Sequence, residues 1–452
     1  MTLNFFNKRF FIAPLFFLFS IFIFPFALSS LFLISLSYCL LFSFFSFLFF
    51  IFLSNKNFKF LLNLKLLRYI FFISLHFLLC FFLESYPQQL NFKRFFLSLI
   101  YLLLVLIFSD LSSQALQKLN LKAIYSAFNF FSYFFLVVAY FSVFGFLFIH
   151  NGGKPVFYFS EPSHFALAFT PFFIYKITSS SKYESFLFFI SSLNLAFVLP
   201  SATLLSTVLI YPALLFLPRQ FHKLNKPFFY ISSIFVVLFA FAFKLYFSSS
   251  IIQPFSSKLS EVSQGRAINI NTYVVSSLHK ISSSFTFFNK DYFLSRLPIR
   301  NEPTSNLSLN VYMSGWSRAV INTKNTYGLG IGFQQLGYVG PEDKYLNFIS
   351  LNNSPFGINE GGCVAAKLIS EFGIFAIATI LFYLAYCFKA LKRIGSQINN
   401  YKLNHSNNLG FLMDIFYISF LIPLFIRSSG YFGPLLFILF ISLLFFNRNK
   451  IS

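Results

Sequence analysis

Residues 10–54 read FFIAPLFFLFSIFIFPFALSSLFLISLSYCLLFSFFSFLFFIFLS, with no charged side chain anywhere in the run. A helix needs about 20 apolar residues to cross the hydrocarbon layer, so this stretch holds two crossings. It follows Lys8 and Arg9 and has the outline of a leader peptide. The run continues too far, with no convincing cleavage site, and reads as two retained spans.

The rest of the chain agrees. Of 452 residues, 57% are hydrophobic and 10% are charged, and 78 are Phe. Apolar runs of that length do not fit the core of a soluble domain, and the expected fold class is an all-α polytopic membrane protein. The excess of Phe, with abundant Ile, Asn, Lys and Ser and a single Trp, fits an AT-rich coding sequence better than a function. A net charge of +22 would suggest nucleic acid in a soluble protein. Here the basic residues fall mostly in short loops, where they set orientation, so nucleic acid is not an expected partner.

The 20-residue ruler gives about twelve crossings. They are expected near 10–28, 31–54, 68–84, 95–109, 126–149, 162–177, 186–200, 201–218, 228–247, 363–388, 411–426 and 431–446. With the N-terminus in the cytoplasm, the inward segments carry nineteen Lys and Arg, among them Lys118, Lys176, Lys389, Arg393 and Arg448. The short outward loops carry four: Lys93, Arg94, Lys154 and Arg427. That asymmetry predicts two cytoplasmic termini. The chain then divides into spans over 1–247, a long outer loop over 248–362 and further spans over 363–452, with short helices expected across the outer mouth. There is no internal repeat of fixed period, which gives inverted-repeat transporter logic little support. Cys39, Cys80, Cys363 and Cys387 form no CxxC or Cys/His cluster, and neither a disulfide framework nor a metal site is expected.

On this topology FSEPSHFALAFTP (159–171) lies at the outer end of the sixth span. Pro162 suits a first helical turn, and Glu161 beside it meets the positive end of the helix dipole. Ser160 and Glu161 are therefore either a simple cap or part of a site. His164 shares a helix face with Glu161, at the spacing for a pair facing a cavity. In the long loop, QGRAIN (264–269) resembles WSRAVIN (316–322), which runs into TKNTYGLGIGFQQLG. Gly328, Gly330 and Gly332 fit neither a Walker loop nor a dinucleotide fingerprint and read as turn punctuation. Arg266 and Arg318 stand out on a net positive outer surface, because the guanidinium fork binds phosphate oxygens bidentately. IRSSGYFGP (426–434) adds Arg427 at the last outer turn, either snorkelling or converging on the other arginines. Glu371 and Asp414 fall inside spans, where charge is costly, and should face the bundle interior; Asp414 lies near the cytoplasmic end.

Together, the dozen spans, the late outer loop, SEPSHFA, SRAVINTKNTYGLGIG and IRSSGYFGP resemble the O-antigen polymerase (Wzy) family. The architecture covers nearly the whole chain, and the motifs cover some tens of residues. The resemblance implies a fold of the GT-C membrane glycosyltransferase type in a bacterial plasma membrane. It implies a glycosyltransferase that uses polyprenyl-diphosphate-linked oligosaccharide as donor and acceptor, with no cofactor and no metal. Its implied partners are that substrate, the lipid bilayer, a chain-length regulator and a flippase. Arg318 and Arg266 then become the cations that receive the leaving diphosphate, with Arg427 and Lys154 as helpers. Glu161 becomes the first base, with His164 as its partner and Glu360 as the alternative. One departure concerns the loop before SEPSH, which in the family often carries an arginine. Here it offers Lys154, a point charge without the fork.

Two rival readings remain at this point. O-antigen ligases share the layout but typically carry a histidine ahead of the following span. INEGGCVAAKLISEFG has Glu360 and no His. A flippase of lipid-linked oligosaccharides would have shorter loops, with its charges inside the spans.

Overall fold

The computed structural model describes residues 5–32, 35–54, 66–82, 90–148, 156, 159, 161–199, 201–220, 307–338, 359, 361–399, 409–428 and 430–449. Their regular structure is helical. In chain order the helices are α1 (Phe5–Phe22), α2 (Phe24–Phe32), α3 (Leu36–Ser54), α4 (Leu66–Phe82), α5 (Phe92–Lys118), α6 (Leu121–Phe148), α7 (Pro162–Ser179) and α8 (Lys182–Val198). They continue with α9 (Ala202–Gln220), α10 (Leu307–Asn325), α11 (Val364–Phe372), α12 (Ile374–Asn399), α13 (Leu409–Ser419), α14 (Leu421–Phe425) and α15 (Pro434–Asn449).

Among the described residues three helices are long and apolar enough to cross a membrane: Phe92–Lys118, Leu121–Val143 and Ile374–Ser396. Shorter apolar helices surround them, including Leu66–Phe82, Ala202–Leu215 and Pro434–Arg448. The chain is a helical membrane protein. Its outer surface says the same: Phe71, Phe72, Phe141 and Phe382 are each more than 60% exposed. A water-facing surface rarely carries so much apolar area, whereas lipid accepts it.

The bundle is organised around α7, which packs against α6, α8, α9, α13 and α15. Nearly all of α7 from Phe165 to Lys176 is buried, including Pro171 inside the helix. Phenylalanine fills this core by ring contact. Phe172 lies 5.1 Å from Phe135 and 5.0 Å from Phe22, and Phe44 stacks on Phe437 at 3.6 Å. Such pairs add to the burial of ring area.

Each expected span except 228–247, which lies outside the described residues, coincides with a helix or a pair of helices. Four expected spans are refined. Span 10–28 is interrupted at Ile23, and span 411–426 at Phe420. Span 363–388 is two helices, α11 and α12, parted at Gly373 with φ of 55°. A Cβ at Gly373 would lie 1.9 Å from the Gly328 carbonyl oxygen, so the break is where another segment docks. The fifth helix runs on past residue 109 to Lys118. Its polar continuation, Ser109, Asp110, Ser112, Ser113 and Gln114, is buried in the bundle. In the expected outer loop, 307–325 forms one helix of 19 residues packed on α11. The earlier part of that loop, with Arg266, is outside the described residues.

Ion pairs mark one end of the bundle. Arg448 on α15 grips Asp110 on α5 with two hydrogen bonds, of 3.1 and 2.8 Å. Arg393 on α12 holds Asp414 on α13, with its Nε donating across 2.9 Å. Lys176 at the end of α7 meets Glu184 on α8 at 2.6 Å. Asp414, 2% exposed, thus faces the bundle interior with its charge paired.

Candidate functional site

The other end of the bundle carries the sequence motifs. Glu161 sits at the N-cap position of α7 in extended backbone (φ −146°, ψ 151°), followed by Pro162 in the first turn. Its side chain makes no capping hydrogen bond. The carboxylate instead accepts from Ser163 Oγ at 2.7 Å and from Arg427 Nη2 at 3.2 Å. The simple-cap reading of Glu161 therefore gives way: its charge is directed across the bundle to a residue 266 positions later in the chain. SEPSH and IRSSGYFGP meet through this pair.

Burial favours the neutral form of the Glu161 carboxyl, but the Arg427 guanidinium, the nearby His164 and the Ser163 hydroxyl outweigh it. The carboxyl is held below its ordinary range. The His164 ring packs beside Phe26, with centroids 5.6 Å apart. The pair is accessible, since the Glu161 side chain is half exposed.

Arg427 belongs to a turn anchored to α11. Ser428 N donates to Gly362 O at 3.1 Å. α10 is tied to the same region, because the Tyr312 hydroxyl donates to Phe425 O at 2.9 Å. Gly315 and Gly362 allow this approach. A Cβ on Gly315 would lie 1.9 Å from Gly361 O, and one on Gly362 would lie 2.5 Å from the Tyr312 Cα. Arg318 follows on α10, 3% exposed, with its Nε donating to Ser314 O at 3.4 Å. It is a buried cation rather than one lying open on the outer surface. Asn322, one turn on, donates to Ser370 Oγ at 2.7 Å and fixes α10 on α11.

The glycine-rich stretch after α10 is a docked strap. Ile331 N and Gly332 N donate to Ser370 O and Glu371 O at 3.1 and 2.9 Å, and Ile374 N donates to Gly328 O at 2.8 Å. Those amides satisfy the C-terminal carbonyls of α11, so they are not a phosphate cradle. Gly330, at φ of 84°, leaves no room for a Cβ, which would lie 2.6 Å from the Glu371 carbonyl carbon. The turn reading of these glycines accounts for their conformations.

The strap closes over a buried polar hub that sequence reasoning saw only as an inward-facing Glu371. The Glu371 carboxylate, 0% exposed, accepts from Gln334 N at 2.8 Å, Leu336 N at 3.3 Å and the Tyr431 hydroxyl at 2.9 Å. Lys367 lies one turn earlier, 3.9 Å from the carboxylate. Its ammonium donates to Asn359 O at 2.7 Å and to Gln334 Oε1 at 3.3 Å, and stands 4.7 Å over the Tyr431 ring. The spacing KxxxE was a visible signal for Lys367, but Tyr431 and Gln334 carried none. From outside, Arg94 donates to Gln334 O at 3.2 Å and to the Tyr338 hydroxyl at 2.9 Å. His76 Nε2 donates to Leu329 O at 2.9 Å.

Of the expected site residues, Glu161, His164 and Arg427 come together, and Arg318 lies on a helix tied to the same turn. Arg266, Lys154 and Glu360 lie outside the described residues. The arrangement offers an accessible carboxylate beside a guanidinium and an imidazole, held on a rigid support. That set can bind an anion and take a proton from a hydroxyl. Comparison of the chain with protein-family models, with curated proteins and with solved structures found no match in any of the three.

Proposed function

We propose that the protein is a membrane glycosyltransferase that polymerises polyprenyl-diphosphate-linked oligosaccharide repeat units at the outer face of a bacterial plasma membrane. In this reading the chain has about twelve spans in a GT-C-like arrangement with both termini in the cytoplasm. The observation that carries the reading is the Glu161–Arg427 pair, which unites two of the motifs behind the family resemblance at one end of the bundle.

The chemistry follows from the pair. An acceptor hydroxyl oxygen attacks the anomeric carbon, the bond from that carbon to the diphosphate oxygen breaks, and its electron pair leaves on the diphosphate. Fixed cations where that charge develops lower the barrier. Arg427, paired with the half-exposed Glu161, is the first such donor, with Arg318, on the helix tied to the same turn, and Arg266 and Lys154 as further candidates. Diphosphate drawing Arg427 away would remove the main influence holding the Glu161 carboxyl low. Glu161 then becomes the stronger base as the donor arrives, and takes the acceptor proton with His164 at its side. Glu360 is the alternative base.

The test is a reaction of purified protein with a defined polyprenyl-diphosphate repeat unit, read as a ladder of products on a gel. Wild type should give the ladder, and Glu161→Gln and Arg318→Ala should each abolish it at equal protein levels. Full ladders from both variants would remove the basis for the proposal. In cells lacking the protein, single repeats on the lipid acceptor fit the polymerase. No attached repeats indicates a ligase, and repeats trapped on the cytoplasmic leaflet a flippase.

A further inference from the structure

A cleft of about 510 Å³ runs between α4 and α5 on one side and α12, α13 and α15 on the other, and the chemistry above makes no use of it. Its lining is almost wholly apolar, from Phe333 and Tyr431 at one end to Tyr386 and Asn447 at the other. The rim residues Tyr69, Phe72 and Phe382 are exposed, so the cleft opens sideways onto the lipid-facing surface. Along α12 its wall extends from Phe375 to Tyr386, and along α15 from Leu436 to Asn447. At the helical rise per residue that is about 17 Å. One leaflet of a hydrocarbon core about 30 Å thick has nearly the same depth.

Charge distinguishes the two ends. At the Phe333 end Lys367 is buried and balanced by Glu371, and Arg94 is engaged by Gln334 and Tyr338. At the Tyr386 end Lys389 is exposed, its ammonium 5.0 Å over the Tyr386 ring, and Lys392 is exposed three residues later. Arg393 and Arg448 stand nearby but are matched by Asp414 and Asp110. A net positive rim therefore borders a leaflet-deep apolar slot, at the end of the bundle remote from Glu161 and Arg427.

We propose that this cleft holds one acyl chain of an anionic phospholipid, whose headgroup phosphate rests on Lys389 and Lys392. A polyprenyl carrier fits less well, because its tail is far longer than the leaflet-deep slot. The inference does not depend on the proposed enzymatic reading.

The test exposes the full-length protein, purified in mild detergent, to phosphatidylglycerol and phosphatidylethanolamine of matched chains, with retained lipid read by native mass spectrometry. Phosphatidylglycerol should be retained in preference. Lys389→Gln and Lys392→Gln, both at exposed positions, should each lower that preference about fivefold. Thr379→Trp, which fills the slot from α12, should reduce retention of both lipids. Equal retention of the two lipids, a preference untouched by the lysine variants, stronger retention of polyprenyl phosphate, or a lipid-free dimer closed over this face would each overturn the proposal.

Discussion

The Tyr431 hydroxyl donates to the Glu371 carboxylate across 2.9 Å, joining the turn that carries Arg427 to the last turn of α11. The same carboxylate holds the strap after α10 through Gln334 N and Leu336 N. Three segments distant in sequence thus share one buried anion, and Lys367 supplies its counter-charge. Removing one partner of a buried charge pair typically costs about 3–5 kcal/mol, because the other is left uncompensated. Glu371→Ala should therefore lower the thermal midpoint in detergent sharply or prevent folding. Glu371→Gln, which still offers an acceptor, should be milder, and Tyr431→Phe should cost about 1–3 kcal/mol. An alanine variant melting with wild type would show that the hub does not hold these segments.

At the opposite end, Asp110 is fully buried and Arg448 three-quarters so, in a two-bond contact that fastens α15 to α5. Asp110→Ala and Arg448→Ala should each destabilise by about 3–5 kcal/mol. Their double variant should lose much less than the sum, since it leaves no unpaired charge. A double-mutant cycle by thermal unfolding checks this, and strict additivity would mean that the two side chains do not interact.

Close backbone approach gives a third prediction. Gly315 faces the Gly361 carbonyl oxygen so closely that a Cβ would lie 1.9 Å from it. Gly315→Ala must push α10 off the turn before α11, with overpacking costs of about 1–3 kcal/mol or more. Gly328→Ala meets no neighbour within 4 Å, but its φ of 90° is strained for alanine. It should cost less than Gly315→Ala, about 1–3 kcal/mol. The order of the two thermal midpoints is the measurement.

Glu161 sets a pH dependence. Its carboxyl is held below the ordinary value in the folded protein, since Arg427, His164 and Ser163 outweigh its partial burial. Such a group contributes stability at pH values above its unfolded pKa and loses it as pH falls through the lower folded value. The wild-type advantage over Glu161→Gln should thus be present at neutral pH and be lost in acid, as pH falls below the ordinary glutamate range and through the lower folded value. The advantage should be modest, because the side chain is half exposed and water screens the pair. Thermal midpoints of both proteins across this range provide the check, and a gap that widened in acid would reverse the sign of the argument.

Much of the helical pattern was legible because hydropathy is a local property. The apolar run over 36–54 became α3, and SEPSH with Pro162 opened α7 where a first-turn proline belongs. Helix breaks were less legible. Gly373 is a local stop signal inside the run 363–388, but a lone glycine does not settle a break; Gly328, 45 residues earlier, docks there and its carbonyl takes the Ile374 amide. Asp110 closed an apolar span and gave no sign that the helix continued, because the Arg448 that neutralises it lies 338 residues away.

By itself, the chain's order of residues determined that this is a helical membrane protein. It also determined that Glu371 must turn inward and that Glu161 and Arg427 lie beside helix ends. Those conclusions rest on the cost of placing charge or long apolar runs in the wrong solvent, which each segment meets alone. Only the tertiary structure decided that Glu161 answers Arg427, that Glu371 gathers Gln334, Leu336 and Tyr431, and that a lipid-deep cleft separates α4 and α5 from α12. Pairing of that kind depends on distances between helices, and these are fixed by how whole faces pack rather than by any one stretch of residues.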